Sequence, residues 1–168
     1  MTTIVRIAYA LVALVVCTPY AFAQIKAFPQ AEGYGDNARV GRGGDVYRVT
    51  KLNDDGSAGT LRYGITNAPA AGRTIVFDVG GWITLNSKLG VTRNNITIAG
   101  QTAPGGGIGL KGNQFSVGAD NIIVRHLRFR PGKAAGRVDS ISVSSGHNII
   151  FDHISAGFSY DENVSSNA

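Results

Sequence analysis

The feature that most limits what this chain can fold into is a three-fold echo. Asn95-Ile96-Thr97-Ile98, Asn121-Ile122-Ile123-Val124 and Asn148-Ile149-Ile150-Phe151 share one pattern, spaced 26 and then 27 residues apart. A valine (Val91, Val117, Val143) stands four or five residues before each asparagine. A period of this size means stacked units, each too small to bury its own apolar face. The apolar segments are short and bounded by glycine and polar turns, which reads as strand rather than helix. The expected fold is therefore all-β, a parallel β-helix whose coils stack one per repeat. Stacked asparagines in such a solenoid form a ladder, each side-chain amide bonding the next coil at the strand spacing of about 4.8 Å.

The chain's 168 residues suit one domain. Arg6 followed by the apolar run 7–16 and by Ala21-Phe22-Ala23 reads as a secretory signal peptide over residues 1–23. That run is too short to span a bilayer, which takes about 20 apolar residues. The only cysteine, Cys17, lies inside the expected signal peptide, so the exported chain has no thiol nucleophile and no disulfide. Setting aside Arg6 leaves 15 of the 16 basic residues against 11 acidic ones, a net charge of about +4. A basic exported protein favours acidic partners, with acidic polysaccharide ahead of nucleic acid.

Residues 24–72 read as an N-terminal segment and cap, and residues 73–168 as the first coils. Within the former, Asp45-Val46-Tyr47-Arg48-Val49-Thr50 alternates like a half-buried strand. Ser57 to Asn67 is the best helical candidate, with Ser57 or Thr60 as its cap and Leu61 and Ile65 on one face. Such a short helix plugs the open end of a solenoid. Gly33-Tyr34-Gly35 lacks the strand, helix and third glycine of a nucleotide cradle. Later, Thr74-Ile75-Val76-Phe77 reads as a first rung. Trp82-Ile83-Thr84-Leu85, Ile108-Gly109-Leu110-Lys111 and Ser140-Ile141-Ser142-Val143 read as second strands of their coils.

His126, His147 and His153 read as corner or packing residues at different points of their coils, without a shared metal cluster. Arg125, Arg128 and Arg130 form a basic, partly alternating stretch. On one face they would present guanidinium groups suited to a polymer bearing one carboxylate per sugar; solvated ion pairing is the plainer alternative. Asp139, Asp152, Asp161 and Glu162 crowd the last thirty residues. Asp139 and Asp161, 22 residues apart, are candidates to share a groove, and oxygen ligands of this kind suit a hard cation such as calcium.

Several stretches carry a resemblance. Ala27-Phe28-Pro29-Gln30-Ala31-Glu32-Gly33-Tyr34-Gly35, Gly41-Arg42-Gly43-Gly44 and Val46-Tyr47-Arg48-Val49-Thr50-Lys51-Leu52-Asn53-Asp54 come first. Gly59-Thr60-Leu61-Arg62, Thr74-Ile75-Val76-Phe77-Asp78-Val79 and Asn95-Ile96-Thr97-Ile98-Ala99-Gly100-Gln101-Thr102-Ala103-Pro104-Gly105 follow. Val124-Arg125-His126-Leu127-Arg128-Phe129-Arg130, Ile150-Phe151-Asp152-His153 and Ser159-Tyr160-Asp161-Glu162 complete the set. Together, in this order, they resemble the pectate lyases of polysaccharide lyase family 1, of the exported bacterial type. The resemblance implies a right-handed parallel β-helix and calcium-assisted β-elimination of polygalacturonate, an acidic plant polysaccharide. It implies calcium ligands at Asp139 and Asp161, with Glu162 in reserve, and a structural role for Asp152 and His153. Val138 departs from a common glycine, and Ser165 stands where some members carry another acid. The arginine base that the resemblance implies is expected beyond residue 168, so the chain reads as an incomplete lyase piece, a monomer being expected of the complete protein. Its last coil would then be an open edge. The alternative is a non-catalytic solenoid that binds acidic glycans through Arg125, Arg128 and Arg130.

Overall fold

The computed structural model describes residues 25–167 except 39, 41 and 42. The expected signal peptide, residues 1–23, lies outside the described residues. Among the described residues, thirteen strands wind into a parallel β-helix. Sheet one stacks β1 (Asp45–Val49), β2 (Arg73–Phe77), β5 (Ile96–Ala99), β8 (Ile122–Arg125) and β11 (Ile149–Asp152). Sheet two stacks β3 (Gly81–Thr84), β6 (Ile108–Lys111), β9 (Leu127–Arg130) and β12 (Ser155–Ala156). Sheet three stacks β4 (Leu89–Val91), β7 (Phe115–Gly118), β10 (Ile141–Ser145) and β13 (Val164–Ser166). These strands pair in parallel throughout. From β2 onward each coil contributes one strand to each sheet, so β10 belongs to the third sheet and is not a second strand of its coil. The 131–140 connection, longer than its counterparts in earlier coils, carries the chain round to it.

The sequence period becomes the core. Ile75, Ile98, Val124 and Phe151 align in sheet one. In sheet two Ile83, Leu110, Phe129 and Ala156 align, and in sheet three Leu89, Phe115 and Ile141. Their side chains meet in one buried cluster, as a solenoid interior must. The repeated valines stack as well, Val91 on Val117 on Val143.

Asparagine marks the corner between sheets three and one because the chain turns there through the left-handed region. Asn95, Asn121 and Asn148 have φ of 63°, 57° and 56°, which asparagine tolerates better than most side chains. Asn148 Nδ2 donates to Asn121 Oδ1 at 3.2 Å, and Asn121 Nδ2 donates to Asn95 Oδ1 at 3.0 Å. The expected ladder is formed.

The cap is a short helix, α1 (Leu61–Thr66), with Thr60 as N-cap accepting from the Tyr63 amide. Leu61 and Ile65 plug the interior, both fully buried. Gly64 weakens the helix but is required. A Cβ there would lie 2.6 Å from the Tyr47 ring, which packs against it. Arg73 sits beneath, donating to Asp45 Oδ1 and Oδ2 at 2.7 and 2.6 Å and to the Gly64 carbonyl at 3.0 Å. Its guanidinium holds the Asp45 carboxyl below the ordinary carboxylate range. The N-terminal segment lies against sheet one, where Ala38 and Val40 bury Ile123 and Phe28 packs alongside.

Candidate functional site

Two chemically different regions lie on sheet two and on the connections that follow it. The first is acidic. Asp139 ends the 131–140 connection two residues before β10, and Asp161 and Glu162 lie in the next coil's connection between β12 and β13. Because Ile141 pairs with Val164, the residue directly above Asp139 is 23 positions on, at Glu162. The Glu162 amide confirms that register by donating to Asp139 Oδ1 at 3.2 Å. Carboxylate oxygens of Asp139, Asp161 and Glu162 all lie within 4.8 Å of one another. The expected pair of Asp139 and Asp161 is brought together, and Glu162 joins it as a full member.

These three carboxylates differ in their surroundings. Asp139 Oδ2 accepts from Ser165 Oγ at 2.5 Å and from Gln114 Nε2 at 3.3 Å. The Ser165 hydroxyl, with the Glu162 contacts, holds the Asp139 carboxyl below its usual range. Glu162 goes the other way. Its hydrogen bond with Asp139 and the negative charge of Asp161 push its carboxyl up. A cluster in which one acid resists ionisation carries surplus negative charge, and a bound cation relieves it. Asp161 accepts from the exposed Arg137 at 3.2 Å. Ser165, which stands where some members of the resembled family carry another acid, donates a hydrogen bond to Asp139.

The second region is the outer face of sheet two, and it is cationic. Trp82, Gly109 and Arg128 align across three coils, and Lys111 aligns with Arg130 beside them. The indole lies over Gly109, where a Cβ would stand 2.4 Å from the ring. The Arg128 guanidinium sits over that ring, 4.8 Å from its centroid, and Arg130 lies 5.8 Å from the exposed Phe158 ring. Arg130 donates to the carbonyls of Phe129 and Ser155 and to Ser155 Oγ. Arg48, Arg62, Arg73, Arg125 and Arg137 each hold a carboxylate. Among the described residues, Lys111, Arg128 and Arg130 hold none.

Two expectations need correcting. Arg125 does not share a face with Arg128 and Arg130. His126 turns the chain at φ 55°, so Arg125 ends sheet one while the other two lie on sheet two. The Arg125 guanidinium is engaged by Asp152 at 2.5 Å and covered by the Phe28 ring, 3.8 Å from its centroid. The histidines also differ from expectation. His126 and His153 occupy the same corner of successive coils, and their rings stack at 4.7 Å. The signal was present in the sequence, since their 27-residue separation equals the period from Asn121 to Asn148. His147 lies elsewhere, beside Asp120.

Fold and site together define a parallel β-helix with an oxygen-only acidic corner beside a cationic face. Comparison with known proteins narrows this. Over 142 residues the chain is 47% identical to the probable pectate lyase C of Emericella nidulans, covering 83% of this chain and 32% of that protein. The probable pectate lyase C of Aspergillus flavus is 46% identical over 144 residues, with coverage of 84% and 33%. A pectate lyase of Nicotiana tabacum is 33% identical over 151 residues, covering 74% of this chain and 36% of its own. The chain therefore spans about a third of the length of these relatives. They are fungal and plant proteins rather than bacterial ones. No family model matches the chain. Among solved structures, the cedar pollen major allergen Jun a 1 matches with a TM-score of 0.56 and 24% identity, over 73% of this chain and 41% of that one. That match supports the β-helix, and the sequence matches make the chain similar to pectate lyases.

Proposed function

We propose that the chain is a pectate-lyase-like part of an exported enzyme that cleaves polygalacturonate by calcium-assisted β-elimination. One observation carries the reading: an oxygen-only cluster of three carboxylates includes Asp161 and Glu162, on the same connection whose Phe158 packs against Arg130 of the cationic face. Asp139, Asp161 and Glu162 would hold calcium, a hard ion that prefers such oxygens and fills its remaining positions with water or ligand carboxylates. Calcium bound there would neutralise a uronate carboxylate and so make the neighbouring C5 proton more acidic.

The chain's own residues bind and orient. The Ser165 hydroxyl holds the Asp139 carboxyl below its usual range, and Gln114 donates to the same oxygen and helps keep it in place. Arg128 and Lys111 are available for sugar carboxylates, with the Arg128 guanidinium held in place against the Trp82 ring. Arg130, engaged with Ser155, keeps the end of the face rigid and adds its charge. Proton abstraction from C5 is assigned to no described residue. The apolar run 7–16 and the basic exported chain support secretion. Among the described residues, no helix is long and apolar enough to cross a membrane.

Removing Lys111 and Arg128 tests the face. The double variant Lys111→Ala, Arg128→Ala should bind polygalacturonate up to roughly tenfold more weakly in affinity electrophoresis, each exposed charge pair with a carboxylate contributing up to about 1 kcal/mol. The loss should shrink as salt rises. Unchanged migration at low salt would remove this face from the binding surface.

A further inference from the structure

The geometry points to a second cation site, distinct from the carboxylate corner and suited to a borderline ion such as zinc, at the stacked histidines His126 and His153. These residues turn successive coils between sheets one and two, with φ of 55° and 51°. Their rings lie 4.7 Å apart at an interplanar angle of 18°. Asp152 completes the group, and one ligand atom from each of the three side chains lies within 4.8 Å of the others.

The hydrogen bonds prepare the nitrogens. Asp152 Oδ1 lies 2.8 Å from His153 Nδ1. An ionised carboxylate only accepts, so His153 carries its proton on Nδ1 and leaves the Nε2 lone pair free. A carboxylate behind a histidine in this way is the usual second layer of a protein metal centre, fixing the tautomer and raising ligand basicity. The other oxygen of Asp152 is held by Arg125, so the carboxylate cannot swing away. Among the described residues, neither ring nitrogen of His126 has a hydrogen-bond partner.

Access is built in. In the preceding coil the position aligned with His126 is Gly100, which carries no side chain. Gly100 packs directly on the His126 and Arg125 carbonyls, where no side chain would fit, and the corner borders a groove of about 410 Å³ lined also by Gly105, Gly106 and Gly107. Zinc–nitrogen bonds of about 2.0–2.1 Å place two ligand nitrogens at most about 4.2 Å apart. The lone pairs lie in the ring planes, so the stacked rings must each swing about their side-chain bonds to aim a nitrogen at one ion between the coils, and water fills the remaining positions. Imidazole nitrogen selects zinc, nickel or copper over calcium, whereas the all-oxygen corner does the reverse. An ion held by His126 and His153 ties two coils together through their side chains, as the asparagine ladder does on another corner.

The test is calorimetric titration of zinc chloride into the full chain in saturating calcium, which keeps the oxygen site filled. The expected result is a single zinc ion per chain. His126→Gln and His153→Gln should each weaken uptake about tenfold or more, in line with what lost metal-site partners cost. His147→Gln should leave it unchanged. Zinc should also raise the thermal midpoint of the parent chain and of His147→Gln, but not of His126→Gln. Circular dichroism in chelator confirms that each variant is folded, and the exposed His153 provides the independent arm if His126→Gln is not. Absence of zinc uptake by the parent chain, or uptake that survives both histidine variants, overturns the assignment.

Discussion

Replacing Asp139 by asparagine should lower calcium affinity roughly a hundredfold while leaving the chain folded. The amide keeps the shape but removes one charge from a three-carboxylate cluster, and calcium affinity follows ligand charge count. Asp139 is also the member that its surroundings keep ionised: the Ser165 hydroxyl, Gln114 amide and Glu162 backbone amide all donate to it. In the Asp139→Asn variant some of those donors would face an amide nitrogen, and the rest a neutral oxygen. The stability cost should stay near ~1 kcal/mol, the net worth of a partly exposed hydrogen bond. Calorimetric titration with calcium, alongside a melting curve, separates the two effects. An unchanged calcium titration would take Asp139 out of the site, and Glu162, stacked directly above it, would lose its partner there.

The largest stability effect is expected in the interior of sheet two. Phe129→Ala should destabilise the chain by about 3–5 kcal/mol, the usual cost of emptying a buried aromatic position. Phe129 is 1% exposed, and its ring lies 5.2 Å from that of Phe115 across the interior. It also stacks between Leu110 of the coil before and Ala156 of the coil after. Alanine above and alanine in place would leave a gap running across two coils, with little nearby side chain able to collapse into it. A solenoid coil touches only its neighbours, so the loss falls on both of its interfaces. Since small domains are stable by only about 5–15 kcal/mol, this is a large share. Chemical denaturation measures it, and a cost below about 1 kcal/mol would contradict an inward Phe129.

How much of this was legible in the sequence depended on whether the repeat reported it directly. The asparagine and valine periods revealed the coils, because one backbone turn recurs at each and asparagine suits its left-handed conformation. Thr60 as a cap and Leu61 with Ile65 as a plug followed from spacing alone. Arg125 was misplaced because a strand reading carries straight through His126, whereas a residue with positive φ turns the chain to a new sheet. The histidine pair was missed for the same reason, since a corner residue shows no strand alternation to align by. Around Asp139 the difficulty was loop length. The asparagine period into that coil is 27 residues, but Asp139 and Glu162 are only 23 apart because the connection before β13 is shorter. Only the paired strands reveal which acid stands above which. The expected second-strand role of Ser140-Ile141-Ser142-Val143 failed on the 131–140 connection, whose length hides a change of sheet.

If the chain is part of a pectate lyase, the carboxylate corner and the cationic face must act together on one acidic polymer. Calorimetric titration of the chain with a short oligogalacturonate, in calcium and then in chelator, decides whether they do. Binding should need calcium, weaken when the sugar carboxylates are methyl-esterified, and be lost in Asp139→Asn. Equal binding in chelator would show a calcium-independent glycan surface, and no binding in either buffer would show that the two regions do not form a site.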